Sequence, residues 1–133
     1  MIVLDTHALV WWASDPGQIP ARARRRIKNA VESGSGIAAS SISVWEIAML
    51  VSRSRLRLTL PVDLWLASLA ALPHLQFIPV GNQVVIRAAG MDDCPSRDPA
   101  DRMIVATAIL LGAPLITGDR RLRSFDALTT VWN

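Results

Sequence analysis

The chain opens on three consecutive aliphatic residues, Ile2, Val3 and Leu4, and stops at a carboxylate, Asp5. A short run without polar alternation, two-thirds β-branched, suits a strand buried on both faces. The pattern then alternates between helical and strand-like stretches. Residues 6–14 form a short apolar helix with Thr6 as candidate N-cap, and Asp15-Pro16-Gly17 reads as a turn. A helix over 20–33 follows, with Pro20 at its first position and Gly34 past its end. Residues 36–39 read as a buried strand, and three serines (Ser40, Ser41, Ser43) lead into a nearly all-apolar helix over 44–52. An amphipathic helix is expected over 61–71, a strand over 75–80 with Pro79 at its end, and a helix over 81–89. An acidic loop over 90–97 precedes Asp98, which caps, and Pro99, which opens, a buried helix over 101–111 ended by Gly112. Residues 114–117 form a fourth strand, 120–125 a short helix and 129–132 a last strand.

Strands and helices in alternation predict an α/β fold with a mostly parallel sheet of about five strands. No repeat, linker or low-complexity segment interrupts it, so residues 1–133 are expected to form one domain with a real core. Half of the chain is apolar and 19% is charged, which excludes a disordered chain. No apolar run approaches the ~18 residues of a membrane span. The N-terminus lacks a basic segment and meets Asp5 too soon for a signal peptide. Cys94, the single cysteine, has no disulfide partner, and neither His7 nor His74 is near enough in sequence to activate it. These features lead us to expect a cytoplasmic protein without a membrane.

Charge adds direction. The net charge is +3, and thirteen of the fourteen cations are arginine, whose planar fork suits phosphate. Arg22, Arg24, Arg25 and Arg26 go round their helix, as a solvated face or an RNA-facing patch would. Nine of the eleven acids are Asp, and four stand where the pattern makes them costly. Asp5 ends the first strand, with no evident local job. Asp119 follows the fourth strand. Glu46 and Asp101 each lie about one turn into an apolar helix. Strand ends of a parallel sheet share one rim, so the four carboxylates should converge. Three of them also have a plain local reading: Ser43 to Glu46 fits a capping box, Asp98 to Asp101 fits a capped helix start, and Gly118-Asp119 fits a turn. Convergence would raise the pKa of each acid through its neighbours unless a divalent cation neutralised them. An oxygen-only donor set favours Mg2+ or Mn2+ over Zn2+.

At these residues the chain resembles the PIN-domain family, and within it the VapC-type toxin ribonucleases of type II toxin–antitoxin pairs. The resemblance rests on Asp5-Thr6-His7-Ala8-Leu9 with Trp11-Trp12, on Ser43-Val44-Trp45-Glu46-Ile47, on Asp98-Pro99-Ala100-Asp101-Arg102, and on Leu115-Ile116-Thr117-Gly118-Asp119. It implies a PIN-like three-layer fold with helices on both faces of the sheet, and a ribonuclease dependent on Mg2+ or Mn2+. It also implies a homodimer, and a VapB-type antitoxin that blocks the site through a groove of the toxin and alone contacts operator DNA. The family's ligands map onto Asp5, Glu46, Asp101 and Asp119, with Asp98 an outer member.

Asp5 is then the central ligand, and a carboxylate left unengaged by metal, with Asp119 the candidate, would orient the attacking water. Thr6, Thr117, Arg102 and Arg120 are candidate substrate-binding residues. The threonines could instead hold the ligands by hydrogen bonds, and the arginines, Arg121 among them, could be counter-ions. Trp11 and Trp12 are consecutive on a helix and cannot both face the core, so one of them, with Trp65, is a candidate lining of a partner groove. Three rivals frame the reading. A phosphatase of the strand-end Asp type wants an acid where His7 stands, and a phospho-acceptor domain wants a late lysine, whereas the only lysine is Lys28. A catalytically silent metal-binding or interaction module and an RNA-processing nuclease remain alternatives.

Overall fold

The structure, a computed structural model, describes residues 1–133. Five strands, β1 (Ile2–Leu4), β2 (Ile37–Ser40), β3 (Leu75–Ile78), β4 (Leu115–Ile116) and β5 (Thr130–Val131), form one sheet in the order β3-β2-β1-β4-β5. All four pairings are parallel, so the mostly parallel sheet expected from the pattern is parallel throughout. β1 is central: Val3 pairs with Ala38 on one side and with Leu115 on the other. Its side chains alternate between two cores. Ile2 and Leu4 pack with helices α1 (Thr6–Ser14), α2 (Ala21–Glu32), α3 (Ser41–Ser52) and α4 (Val62–Ala70). Val3 packs with α5 (Asn82–Ala89), α6 (Pro99–Leu111) and α7 (Arg120–Arg123) on the opposite face. Three consecutive aliphatics are therefore needed, because both faces of this strand are covered.

Several helix starts differ from the sequence expectation, each for a capping reason. Asp5, not Thr6, is the N-cap of α1, its side chain accepting from the Ala8 amide. Ser40 caps α3 by accepting from the Ile42 amide, so Ser41 and Ser43 lie inside the helix rather than in a lead-in loop. Asp98 caps α6 at Pro99, as its Asp-Pro pair suggested, and Gly112 closes that helix in the left-handed conformation. On α2 the buried positions are Ala23, Ile27 and Ala30. The four arginines Arg22, Arg24, Arg25 and Arg26 occupy its exposed remainder.

The strand order carries the main consequence for function. The chain leaves β1 toward β2 and β3, then crosses back to place β4 and β5 on the other side. The connections after β1 and β4 therefore diverge, and a crevice opens at their C-terminal ends.

Candidate metal centre

Asp5 stands at that crevice. Its amide donates to the Ile116 carbonyl at 3.1 Å, which ties the end of β1 to β4. One carboxylate oxygen accepts from the Ala8 amide at 2.8 Å. The acid that lacked a local job thus has one, as the cap of α1, and that bond aims it along the rim. Across the crevice, Asp119 follows β4 and caps α7 by accepting from the Arg121 amide at 2.9 Å.

Glu46 reaches the same place from α3. Ser43 does not act as its capping-box partner. Instead the Ser43 and Thr6 hydroxyls lie 2.9 Å apart, and Thr6 in turn donates to the Glu46 carboxylate. Asp101 sits in the first turn of α6 and accepts from the Ser96 hydroxyl at 2.9 Å. Ser96 is fully buried, and no sequence signal singles it out. Glu46, Asp98 and Asp101 each bring a carboxylate oxygen to within 4.8 Å of the other two. Asp98, expected as an outer member, is thus part of the tightest acidic group while also capping α6 through the Ala100 amide. Asp5 and Asp119 line the same cleft of about 650 Å³. All five acids meet there.

Their electrostatics differ. Burial raises the Asp5, Glu46 and Asp101 carboxyls above the ordinary range, and neighbouring carboxylates add to it: Asp101 for Asp5, Asp101 and Asp98 for Glu46, Asp98 and Asp119 for Asp101. Hydrogen bonds from Thr117, Thr6 and Ser96 respectively oppose the shift without cancelling it. Asp119 moves the other way, held below the ordinary range chiefly by its hydrogen bond with Arg121. Arg121 donates through Nε at 3.3 Å and Nη2 at 2.9 Å, and the same Nη2 lies 3.5 Å from Asp101. An all-oxygen group of mutually destabilising carboxylates, aimed by neutral hydroxyls, fits a hard divalent cation such as Mg2+ or Mn2+.

The other candidates separate clearly. Thr6 and Thr117 are buried, at 4% and 0% exposure. Their hydroxyls serve the acids and the backbone: Thr6 holds Glu46, while Thr117 accepts from the Asp119 amide and steadies Asp5. Thr6 also lines the cleft, whereas Thr117 does not. Arg102 does not line the cleft. Its guanidinium donates to the Ala88, Ser96 and Met91 carbonyls at 3.0, 3.2 and 2.7 Å. It clamps the loop that presents Ser96 to Asp101. Arg120 is exposed and lies outside the cleft lining, whereas Arg121 belongs to it.

The tryptophans divide as their spacing required. Trp11 lines the cleft, and Trp12 turns away to meet His74 edge-on at 5.9 Å. Trp65 is only 5% exposed and fills the core beneath α4, so it is not an accessible groove residue. Trp45, next to Glu46 in the chain, is 57% exposed.

Comparison with known proteins agrees with this picture. A family model described as the PIN domain matches residues 2–128. The chain is 37% identical to Ribonuclease VapC22 of Mycobacterium tuberculosis over 133 residues, covering 98% of each chain. Two solved structures share the fold at low identity. VapBC2 from Rickettsia felis, bound to a DNA fragment from its promoter, superposes with a TM-score of 0.71 at 18% identity, covering 100% of each chain. DNA-bound VapBC from Salmonella typhimurium superposes with a TM-score of 0.68 at 19% identity, covering 98% of each.

Proposed function

We propose that this chain, which belongs to the PIN-domain family, is a divalent-metal-dependent endoribonuclease and the toxin of a toxin–antitoxin pair. The observation that carries the reading is the convergence of Asp5, Glu46, Asp98, Asp101 and Asp119 in one cleft where two strand ends diverge. The relative at 37% identity is named a ribonuclease, which supports RNA as substrate. When bound, Mg2+ or Mn2+ supplies a water acidic enough to attack a phosphodiester near neutral pH and neutralises charge on the phosphate oxygens.

The residues divide the work around that chemistry. Asp5, Glu46 and Asp101 hold the ion, with Asp98 beside them. Thr6 and Ser96 fix the ligand rotamers, since a hydrogen-bonded carboxylate needs no reorganisation when it binds. Asp119, kept ionised by Arg121, accepts a hydrogen bond from the attacking water and orients it. Arg121 is 59% exposed at the cleft, and its remaining donors face an RNA phosphate. No nucleophilic side chain is required, and the cleft lining contains no serine, cysteine or lysine. The toxin reading brings the expected partners: a second copy of the chain, and a VapB-type antitoxin that covers the site and alone contacts operator DNA. No helix is long and apolar enough to cross a membrane, and the protein is proposed to work in the cytoplasm.

Asp5→Asn tests this directly, because Asn caps a helix as well as Asp. The variant should fold like wild type. Its RNA cleavage in Mg2+ should fall by more than the roughly 10–100-fold that loss of an outer hydrogen-bond partner costs. Cleavage at the wild-type rate by purified Asp5→Asn protein would end the assignment.

A further inference from the structure

One wall of the acidic cleft is aromatic and makes no hydrogen bond to the acids. His7 and Trp11, one turn apart on α1, have ring centroids 5.7 Å apart at an interplanar angle of 53°. Trp11 continues to Trp132, just past β5, at 5.9 Å and 39°. All three line the cleft. His7 is exposed and the two indoles are half-buried, so each ring keeps surface for a ligand. The position of Trp132 is built into the backbone opposite. Its indole lies over Gly118, where an added Cβ would come within 2.9 Å of the ring. The aromatic wall thus ends against the peptide that joins Thr117 to Asp119.

Trp11 and Trp132 each pack one side against the core, but core filling does not account for the surface they leave in the cleft. The chain has five Trp, two Phe and no Tyr, and the core beside the cleft is built mainly from aliphatic residues and alanine. Two of the five tryptophans stand instead on the wall that faces the carboxylates and Arg121. The cleft, about 650 Å³, is of the size that takes a nucleotide-sized ligand. It places flat π faces beside groups that deal with phosphate. That combination holds single strands, whose bases are free to stack on side chains, whereas a duplex keeps its base faces stacked internally.

We propose that His7, Trp11 and Trp132 form a nucleobase subsite that stacks an unpaired base of single-stranded RNA next to the scissile phosphate. The inference rests on the ribonuclease reading and narrows it to unpaired RNA. It also gives Trp11 to the substrate rather than to a partner groove.

The test uses a labelled single-stranded RNA octamer bound to the cleavage-deficient Asp5→Asn protein in Mg2+, followed by fluorescence anisotropy. His7→Ala and Trp132→Leu, each added to that background, should weaken binding about five-fold or more. Trp132→Phe should restore most of it, and circular dichroism should show all variants folded. His7 is exposed, so its variant stays informative even if Trp132→Leu unfolds. An abasic nucleotide scanned along the octamer should cost affinity at one position in the parent protein. It should cost nothing there once the rings are removed. Unchanged octamer affinity in the ring variants, or an abasic penalty that persists in them, would overturn the proposal. So would intact RNA binding with lost binding of the co-encoded antitoxin, which would assign the rings to a protein partner. Wild-type cleavage of the same octamer separates the two claims. Cleavage without ring dependence removes only the subsite, while no cleavage or binding with any divalent ion removes the ribonuclease reading as well.

Discussion

The two strand ends that frame the cleft carry the same residue type and treat it in opposite ways. At the β1 end, Asp5 and Glu46 are aimed by neutral donors, the Ala8 amide and the Thr117 and Thr6 hydroxyls, and Asp101 by the Ser96 hydroxyl with the edge of Arg121 3.5 Å away. At the β4 end, Asp119 is gripped by the Arg121 guanidinium. The first three carboxyls are raised and the last is lowered. A hydroxyl orients an acid without neutralising it, whereas a guanidinium does both. The β1 side is therefore short of positive charge, and the β4 side carries its own. A cation from solution has more reason to go to the first than to the second.

That contrast can be broken from either side. The largest effect is expected from the β1 side. Thr6→Val keeps the shape of a buried side chain but removes the hydroxyl between Ser43 and Glu46. RNA cleavage in Mg2+ should fall by roughly 10–100-fold, with a loss of only about 1 kcal/mol in urea unfolding. Wild-type activity would show that Glu46 needs no aiming. Next comes the hinge between the two sides. Gly118→Ala drives a Cβ to within 2.9 Å of the Trp132 ring, and the overpacking should cost about 1–3 kcal/mol in a denaturant titration. An unchanged midpoint would mean that the indole is free to move. The smallest effect on the fold belongs to Arg121→Gln, because that guanidinium is largely exposed and screened by solvent. Its melting temperature should barely move. The Asp119 carboxyl, followed by NMR, should titrate closer to the ordinary range, and a titration identical to wild type would sever the link between the two residues.

The sequence disclosed the acids more reliably than what surrounds them. Asp5, Asp101 and Asp119 were legible because each stands at the edge of an apolar run, at the end of a strand or the start of a helix. The strand order was only partly legible, since alternation of elements says that a sheet is parallel but not which strand is central. Three serines at 40, 41 and 43 read as a loop because serine competes with the helical backbone. Here Ser40 caps, and Ser43 is turned to Thr6. The arginines were the hardest. Arg102, Arg120 and Arg121 all lie within two residues of an acid along the chain, yet one clamps a loop, one is exposed outside the cleft and one enters it. Only side-chain direction separates them, and no periodicity encodes it. Ser96 was invisible for the same reason. Its contact with Asp101 depends on the loop that Arg102 holds.

The central claim is that the β1-side acids are a cation site left short of charge. Their raised pKa values fix a sign. Between its unfolded value and its raised folded value, each such acid binds more protons folded than unfolded. Metal-free stability therefore falls as pH rises through that window and stays low above it. Asp119 acts oppositely, adding stability above its unfolded value that is lost as pH falls through its depressed folded value, but it is partly exposed and screened. A bound cation should reverse the loss on the β1 side. The most direct measurement is the melting temperature of the protein with and without Mn2+ across the acid-to-neutral range. The Mn2+ effect should shrink steadily as pH falls through the acid range, because the raised acids take up protons before ordinary carboxylates do. The account predicts a stabilisation of about 5 °C or more at neutral pH in roughly hundredfold excess over Kd. Melting temperatures unmoved by Mn2+ at every pH would contradict it.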